Sequence, residues 1–245
     1  MLRASEGGKF NIGEMIQHHL ADSNEWEVAG TVIHFPQMHI AGVDISITKH
    51  VFFMMIAALL VMVLLIIAGR SAARYHASGA DQGPKGAANV VEAFILYLRD
   101  EVAIKNIGHG GEKFVPYLVT VFFFILFCNM LGLVPWGASP TGNVSVTAAL
   151  AIVTFLVVEV AGMRALGPAG YAKTIFYIPH GLPMAMKPIM LAIMTPVELL
   201  GKLAKPFALT IRLFANMAAG HAVVLALTGL IILAAGAGMI YIGIA

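Results

Sequence analysis

An all-α polytopic membrane protein is the fold class this sequence predicts, and three observations predict it. Of its 245 residues, 59% are apolar and only 11% are charged, where an ordinary soluble domain carries about 25% charged residues. Its mean hydropathy is +0.86. The apolar residues fall in long unbroken runs with little alternation, which favours membrane helices over a β-barrel. A soluble fold of this size cannot hide so much apolar surface, and the same composition excludes a disordered chain. The one cysteine, Cys128, excludes a disulfide framework and a multi-cysteine metal site. A net charge of +2, evenly mixed, carries no footprint for nucleic acid. No nucleic-acid partner and no cofactor is expected.

About 20 apolar residues cross a hydrocarbon core of roughly 30 Å. Residues 51–69 make the first such run and carry no charge. Residues 114–134 make the second, with Asn129 as their strongly polar side chain. Residues 144–163 make the third and include Glu159. The fourth begins at Pro188 and is interrupted by Glu198, Lys202, Lys205, Arg212 and His221. Residues 1–50 are polar and lack an early apolar stretch, so no cleavable signal is expected and the first span serves as its own anchor. They read as a non-cytoplasmic N-terminal segment, and 51–245 as a single membrane domain.

Orientation follows from lysine and arginine asymmetry. Arg3, Lys9 and Lys49 precede the first span, against six acids. Six basic residues lie between spans one and two: Arg70, Arg74, Lys85, Arg99, Lys105 and Lys113. The loop 136–143 has none, whereas Arg164, Lys173 and Lys187 follow the third span. The pattern places the N-terminus away from the cytoplasm.

Residues 87–107 are too polar to span. Val91, Phe94, Ile95, Leu98 and Val102 recur at helical spacing among Glu92, Arg99, Asp100 and Lys105. This predicts an amphipathic helix at the cytoplasmic membrane surface, entered through a Gly-rich polar linker at 78–86. Four prolines between 167 and 188 predict an irregular cytoplasmic connection.

The fourth span holds most of the chemistry. From 188 to about 232 a single helix would be about 68 Å long at 1.5 Å per residue, so it must break, protrude or tilt strongly. Pro196 and Pro206 permit kinks. Glu198, Lys205 and Arg212 succeed one another at seven-residue steps, which at about 100° per residue puts them near one stripe. Asn216 lies one turn beyond Arg212 on nearly the same face. His221, nine residues past Arg212, falls on the opposite face of an ideal helix. An arginine at membrane depth costs about 2.5–3.5 kcal/mol on insertion scales, and it stays protonated. No acid lies within a turn of Arg212, because Glu198 is about 21 Å away along the axis. A counter-charge from elsewhere in the fold, or a buried carboxylate on a membrane partner, is expected. Lys202 and Lys205 read as cytoplasmic anchors to lipid headgroups. Glu159, five residues before Arg164, reads either as a channel-lining acid or as half of a local ion pair.

The run 178–221, IPHGLPMAMKPIMLAIMTPVELLGKLAKPFALTIRLFANMAAGH, resembles subunit a of the F-type ATP synthases. Arg212-Leu213-Phe214-Ala215-Asn216-Met217 with Gly220 carries the resemblance. Pro196-Val197-Glu198, Lys205-Pro206, Asn129 to Pro135, Asn143 to Thr147, His18-His19-Leu20 and Asp44 support it. The resemblance implies a non-catalytic stator subunit in a bacterial cytoplasmic (inner) membrane. Two aqueous half-channels would meet a rotating c-ring on the Arg212 face, and proton flow would be coupled to rotation and ATP synthesis. Peripheral-stalk b-type subunits, the remaining synthase subunits and membrane lipid are the other implied partners. Arg212, Asn216, His221, Glu198 and Glu159 are the implied proton-translocation residues, with Arg212 essential. The family's pattern ends in a further helix packed antiparallel to the arginine-bearing one. That helix would begin near Ala245, so it is expected to be absent from this chain. A proton- or ion-coupled secondary transporter is the alternative, and it calls for repeat symmetry that the sequence lacks. A haem-bearing respiratory subunit would need axial histidines within the spans, where the first three have none beyond His50 at an edge.

Overall fold

In a computed structural model the chain is overwhelmingly helical and divides into two compact units, residues 1–140 and 141–245. The structure describes residues 23–28, 31–36, 39–40, 43–44, 46–78, 86–108, 110–134, 137–176 and 186–244. His18-His19-Leu20 and the side chain of Asp44 lie outside the described residues, as does most of the 78–86 linker.

The first unit opens with two small antiparallel hairpins, in a segment for which the sequence predicts no element. Strand β1 (Glu25–Val28) pairs with β2 (Thr31–His34), and β3 (His39–Ile40) with β4 (Val43–Asp44). The Ser23 carbonyl accepts from the backbone N–H of Lys49 at 3.0 Å, at the start of helix α1 (Lys49–Ser78). Trp26 lies against Phe52 and Phe53 of α1, at centroid distances of 5.6 and 5.4 Å. An indole with one wet end suits the boundary between lipid and water.

Helix α2 covers 87–107. It starts as Ala87–Tyr97, widens into a π-helical stretch over Leu98–Ile104, and closes with Lys105–Ile107. Asn106 donates to the Val102 carbonyl at 2.8 Å and to the Glu101 carbonyl at 3.3 Å, at the end of this wider turn. The apolar stripe read from the sequence is the face that packs. Leu98 joins Val61 of α1 and Val119 and Phe123 of α3 (Val115–Leu133) in a buried core, flanked by Val91, Ile95 and Val102. Phe94 stacks on Phe122 at 6.2 Å. This helix therefore spends much of its apolar stripe on its own neighbours as well as facing outwards. Gly108 (φ 76°) and Gly110 (φ 88°) turn the chain between α2 and α3. Gly111 is needed for another reason: a Cβ there would meet the Ala103 carbonyl oxygen at 2.8 Å. Ser139 donates to the carbonyl of buried Cys128 at 3.4 Å, tying the end of the unit back to α3.

The second unit contains α4 (Val144–Ile175) and α5 (Lys187–Ile244), packed on each other. Asn143 caps α4 by accepting from the Ser145 backbone N–H at 2.8 Å. The region from 167, expected to be irregular, is helical to Ile175. Gly167 (φ 72°, ψ 159°) breaks the axis, and Pro168 opens a second helical piece. The extended ψ is what a residue before proline prefers, and proline is at home in a first turn, where its missing N–H has no partner to lose. Helix α5 is 58 residues long, about 87 Å at 1.5 Å per residue, and it outlasts the expected end near 232. Pro206 leaves the Lys202 carbonyl without its usual donor, and Thr210 donates to the Pro206 carbonyl at 2.9 Å.

Among the described residues four helices are long and apolar enough to cross a membrane: Lys49–Arg74, Gly111–Leu133, Val144–Ile175 and Lys187–Ile231. They coincide with the four spans read from the sequence. Gly167→Ala should destabilise the protein by about 1–3 kcal/mol, since its positive φ with extended ψ is open in practice to glycine alone. Gly201→Ala, in mid-helix with nothing within 4 Å, should be neutral or stabilising by up to about 1 kcal/mol. Thermal unfolding of the two purified variants beside the wild type checks the pair.

Candidate functional site

The chemistry-bearing residues of the second unit sort onto two sides of α5. Along one stripe, Glu198, Lys205, Arg212 and Asn216 are all exposed, as the seven-residue spacing predicts, and Lys205 also borders the α4–α5 cleft. Among the described residues, Arg212 has no carboxylate within ion-pair distance. Its helical neighbours are of mixed size: Ala208, Ala215 and Ala219 are exposed, and so are Leu209 and Ile211. Nothing lies within 4 Å of a Cβ built on Gly220. Small side chains let another helix approach closely. This stripe of α5 thus presents Arg212 and Lys205 without a carboxylate in ion-pair distance among the described residues, within a mostly apolar surface.

His221 stands apart from that stripe. It is half-buried, and its Nδ1 lies 3.2 Å from the Met217 carbonyl oxygen one turn earlier. The misfit between His221 and the Arg212 stripe, expected from ideal helix geometry, persists in the structure.

Facing α4, α5 makes a polar contact that the sequence reading does not anticipate. Lys202 Nζ donates to the Tyr171 hydroxyl at 2.7 Å and stands 3.6 Å from Glu159 Oε1. It also lies 4.0 Å from the Tyr171 ring centroid. The Lys202 and Glu159 side chains are only 13% and 21% exposed. Lys202 is therefore turned into the α4–α5 groove, unlike the headgroup anchor the sequence suggests. Glu159 pairs across to the next helix, with no contact to Arg164. The contact borders a cleft of about 200 Å³ lined also by Thr154, Lys205 and Pro206. Tyr171 escapes sequence reasoning because it is 31 residues from Lys202 and sits in a proline-rich stretch. The one local signal is the glycine at 162, where a Cβ would come within 2.5 Å of the Tyr171 ring.

The structure thus brings together Glu159, Tyr171 and Lys202 on one side and leaves Glu198, Arg212 and Asn216 on the other. Among the described residues no group of histidine, cysteine and carboxylate side chains could hold a metal ion.

A family model described as ATP synthase A chain matches residues 51–245. ATP synthase subunit a 2 of Chlorobaculum tepidum is 47% identical over 217 residues, covering 88% of this chain and 58% of that protein. ATP synthase subunit a of Chloroherpeton thalassium is 45% identical over 215 residues, 87% of this chain and 62% of that protein. ATP synthase subunit a of Myxococcus xanthus is 52% identical over 193 residues, 78% of this chain and 59% of that protein. The chain spans about three fifths of the length of these relatives.

Proposed function

Because the chain belongs to the ATP synthase A chain family, we propose that it is the proton-translocating stator subunit of an F-type synthase membrane sector. The observation that carries this reading is Arg212: charged, exposed and lacking a carboxylate partner among the described residues. Such a group calls for a carboxylate from outside the chain. A rotating ring of subunits, each with a membrane-embedded carboxylate, would supply one.

The physics then orders the residues. A ring carboxylate crosses lipid cheaply only in its neutral form, because ionised acids at membrane depth are costly. Opposite Arg212 the ionised form is stabilised by the opposite charge, and the proton leaves. Since Arg212 keeps its own proton, it separates two aqueous half-channels without conducting between them. Asn216, one turn along the same face, holds Arg212 or a bridging water in orientation. His221, the imidazole nearest Arg212 on α5, takes the proton on the uptake side. Glu198 lies nearer the cytoplasmic end and serves the release side. Glu159, the other acid on that side, has its charge balanced by Lys202 and serves as half of an ion pair across to α5, not as a proton carrier. Each proton driven across contributes about 2.3 kcal/mol per 100 mV of membrane potential.

In this reading the protein itself is not catalytic, and ATP chemistry belongs to other subunits. The c-ring meets the Arg212 face, and peripheral-stalk b-type subunits and the remaining synthase subunits complete the assembly. The chain sits in a bacterial cytoplasmic membrane with residues 1–50 on the non-cytoplasmic side. The transporter alternative gains no support, since the matched relatives carry synthase names.

Proton uptake by inverted vesicles containing the assembled complex tests the reading. Arg212→Ala should abolish ATP-driven pumping at normal assembly and open a passive leak. Coupled pumping at the wild-type rate would refute the role of Arg212. His221→Leu should lower proton flux in both directions by about tenfold or more, in line with the 10²–10⁴-fold that a positioned proton-transfer group supplies. Rates of ATP-driven uptake and of potential-driven flux, each per assembled complex, check it.

A further inference from the structure

The contact among Glu159, Lys202 and Tyr171 has no step of its own in the proton path. Drawing a lysine and a glutamate largely out of water carries a desolvation cost that the pair's attraction alone often fails to recover. A lysine near the end of a membrane helix has an easier course, which is to extend its stem toward the headgroups. Lys202 instead turns inward, and the surrounding backbone is arranged to receive it. Gly167 breaks α4 so that the piece beginning at Pro168 returns Tyr171 over Gly162. Gly162 has no side chain to block the ring, and a Cβ there would lie 2.5 Å from Tyr171 Cε2. One ammonium therefore ties together α4 before its break, α4 after its break, and α5.

Its position on α5 matters. Pro206 removes the donor to the Lys202 carbonyl, so the turn that carries the contact is also the turn at which the backbone is least held. Lys202 precedes Arg212 by ten residues, which is about 15 Å along the axis and about 80° around it at 100° per residue. Holding Lys202 against α4 therefore fixes the direction in which Arg212 points from the helix. Without the contact, the helix would be free to twist at its weakest turn, and Arg212 would swing with it.

We infer that Glu159, Lys202 and Tyr171 form an interhelical clamp that sets the rotation of α5 about its axis, acting as positioning residues for Arg212. The inference rests on the role of Arg212 proposed above. Misplacing a reacting charge by an ångström can cost about 10²-fold in rate, so loosening the clamp should weaken coupling without removing any group from the path.

The experiment measures ATP-driven proton uptake in inverted vesicles, normalised to the amount of assembled complex. Variants are Lys202→Met, Gly162→Ala and the exchange Glu159→Lys with Lys202→Glu, with Arg212→Ala beside them. Lys202→Met and Gly162→Ala should each lower coupled pumping by about tenfold, inside the range that small misplacements reach, and the exchange should restore most of it. A purely structural role would reduce the quantity of complex and leave pumping per complex alone. Wild-type pumping by Lys202→Met, or an exchange no better than that single variant, overturns the clamp. Should those chains fail to assemble, Tyr171→Phe deletes one hydroxyl and no packing volume. A clear drop in pumping per complex then supports the clamp, and an unchanged rate overturns it. Normal pumping by Arg212→Ala would instead refute the proposed function, whatever the clamp variants do.

Discussion

A permanent positive charge at membrane depth, without a carboxylate among the described residues to meet it, is the constraint around which the second unit is arranged. Arginine does not escape the cost of burial by giving up its proton, as lysine or histidine would. The charge must be met from outside, by water, by headgroups or by another subunit. The chain answers with an exposed stripe on which small residues (Ala208, Ala215, Ala219) alternate with bulkier apolar ones such as Leu209 and Ile211. A surface of that kind suits an approaching helix better than bulk lipid. In the proposed function the same property becomes the mechanism: the guanidinium stabilises a carboxylate only while that carboxylate is ionised and adjacent.

Such a charge is useful only at a defined place, and α5 is poorly suited to hold it there alone. The helix is several times longer than an average one, and Pro196 and Pro206 each remove a backbone hydrogen bond. Helix α4 supplies what α5 lacks. Its break at Gly167 lets one helix offer two separate contacts, Glu159 from before the break and Tyr171 from after it, to one lysine. The first unit shows a related economy of contacts. The apolar stripe of α2 closes over α1 and α3 through Leu98, while the Arg99–Glu112 and Lys105–Glu101 pairs stay on its exposed face, where ion pairs contribute little.

Where sequence reasoning succeeded, the signal was local. The four spans are runs of apolar side chains long enough to cross lipid, and any such run is helical because lipid offers the backbone no other partner. The stripe through Glu198, Lys205 and Arg212 needed only the helical period, and the exposure of all three agrees with it. The amphipathic pattern at 87–107 marked the face that packs, although periodicity could not tell neighbouring helices from a membrane surface. The stretch from 167 to 175 went astray for a physical reason. Glycine and proline both argue against a continuing helix, but together they can end one and start the next. The π-helical turn at 98–104 had no local signature either, since it depends on Asn106 and on packing around Leu98 and Ala103.

The sequence by itself determined the class of the protein, its spans and the family resemblance, and it named the candidate residues for the chemistry. These follow from composition and from periods of a few residues, and both act over short distances along the chain. Tertiary structure alone decided which of those residues meet. It paired Glu159 with Lys202 across two helices, brought Tyr171 to both from 31 residues away, and left Arg212 without a carboxylate on the described chain. Contacts between residues far apart in sequence depend on where a helix breaks and how two helices are rotated against each other. No local pattern of side chains records that rotation.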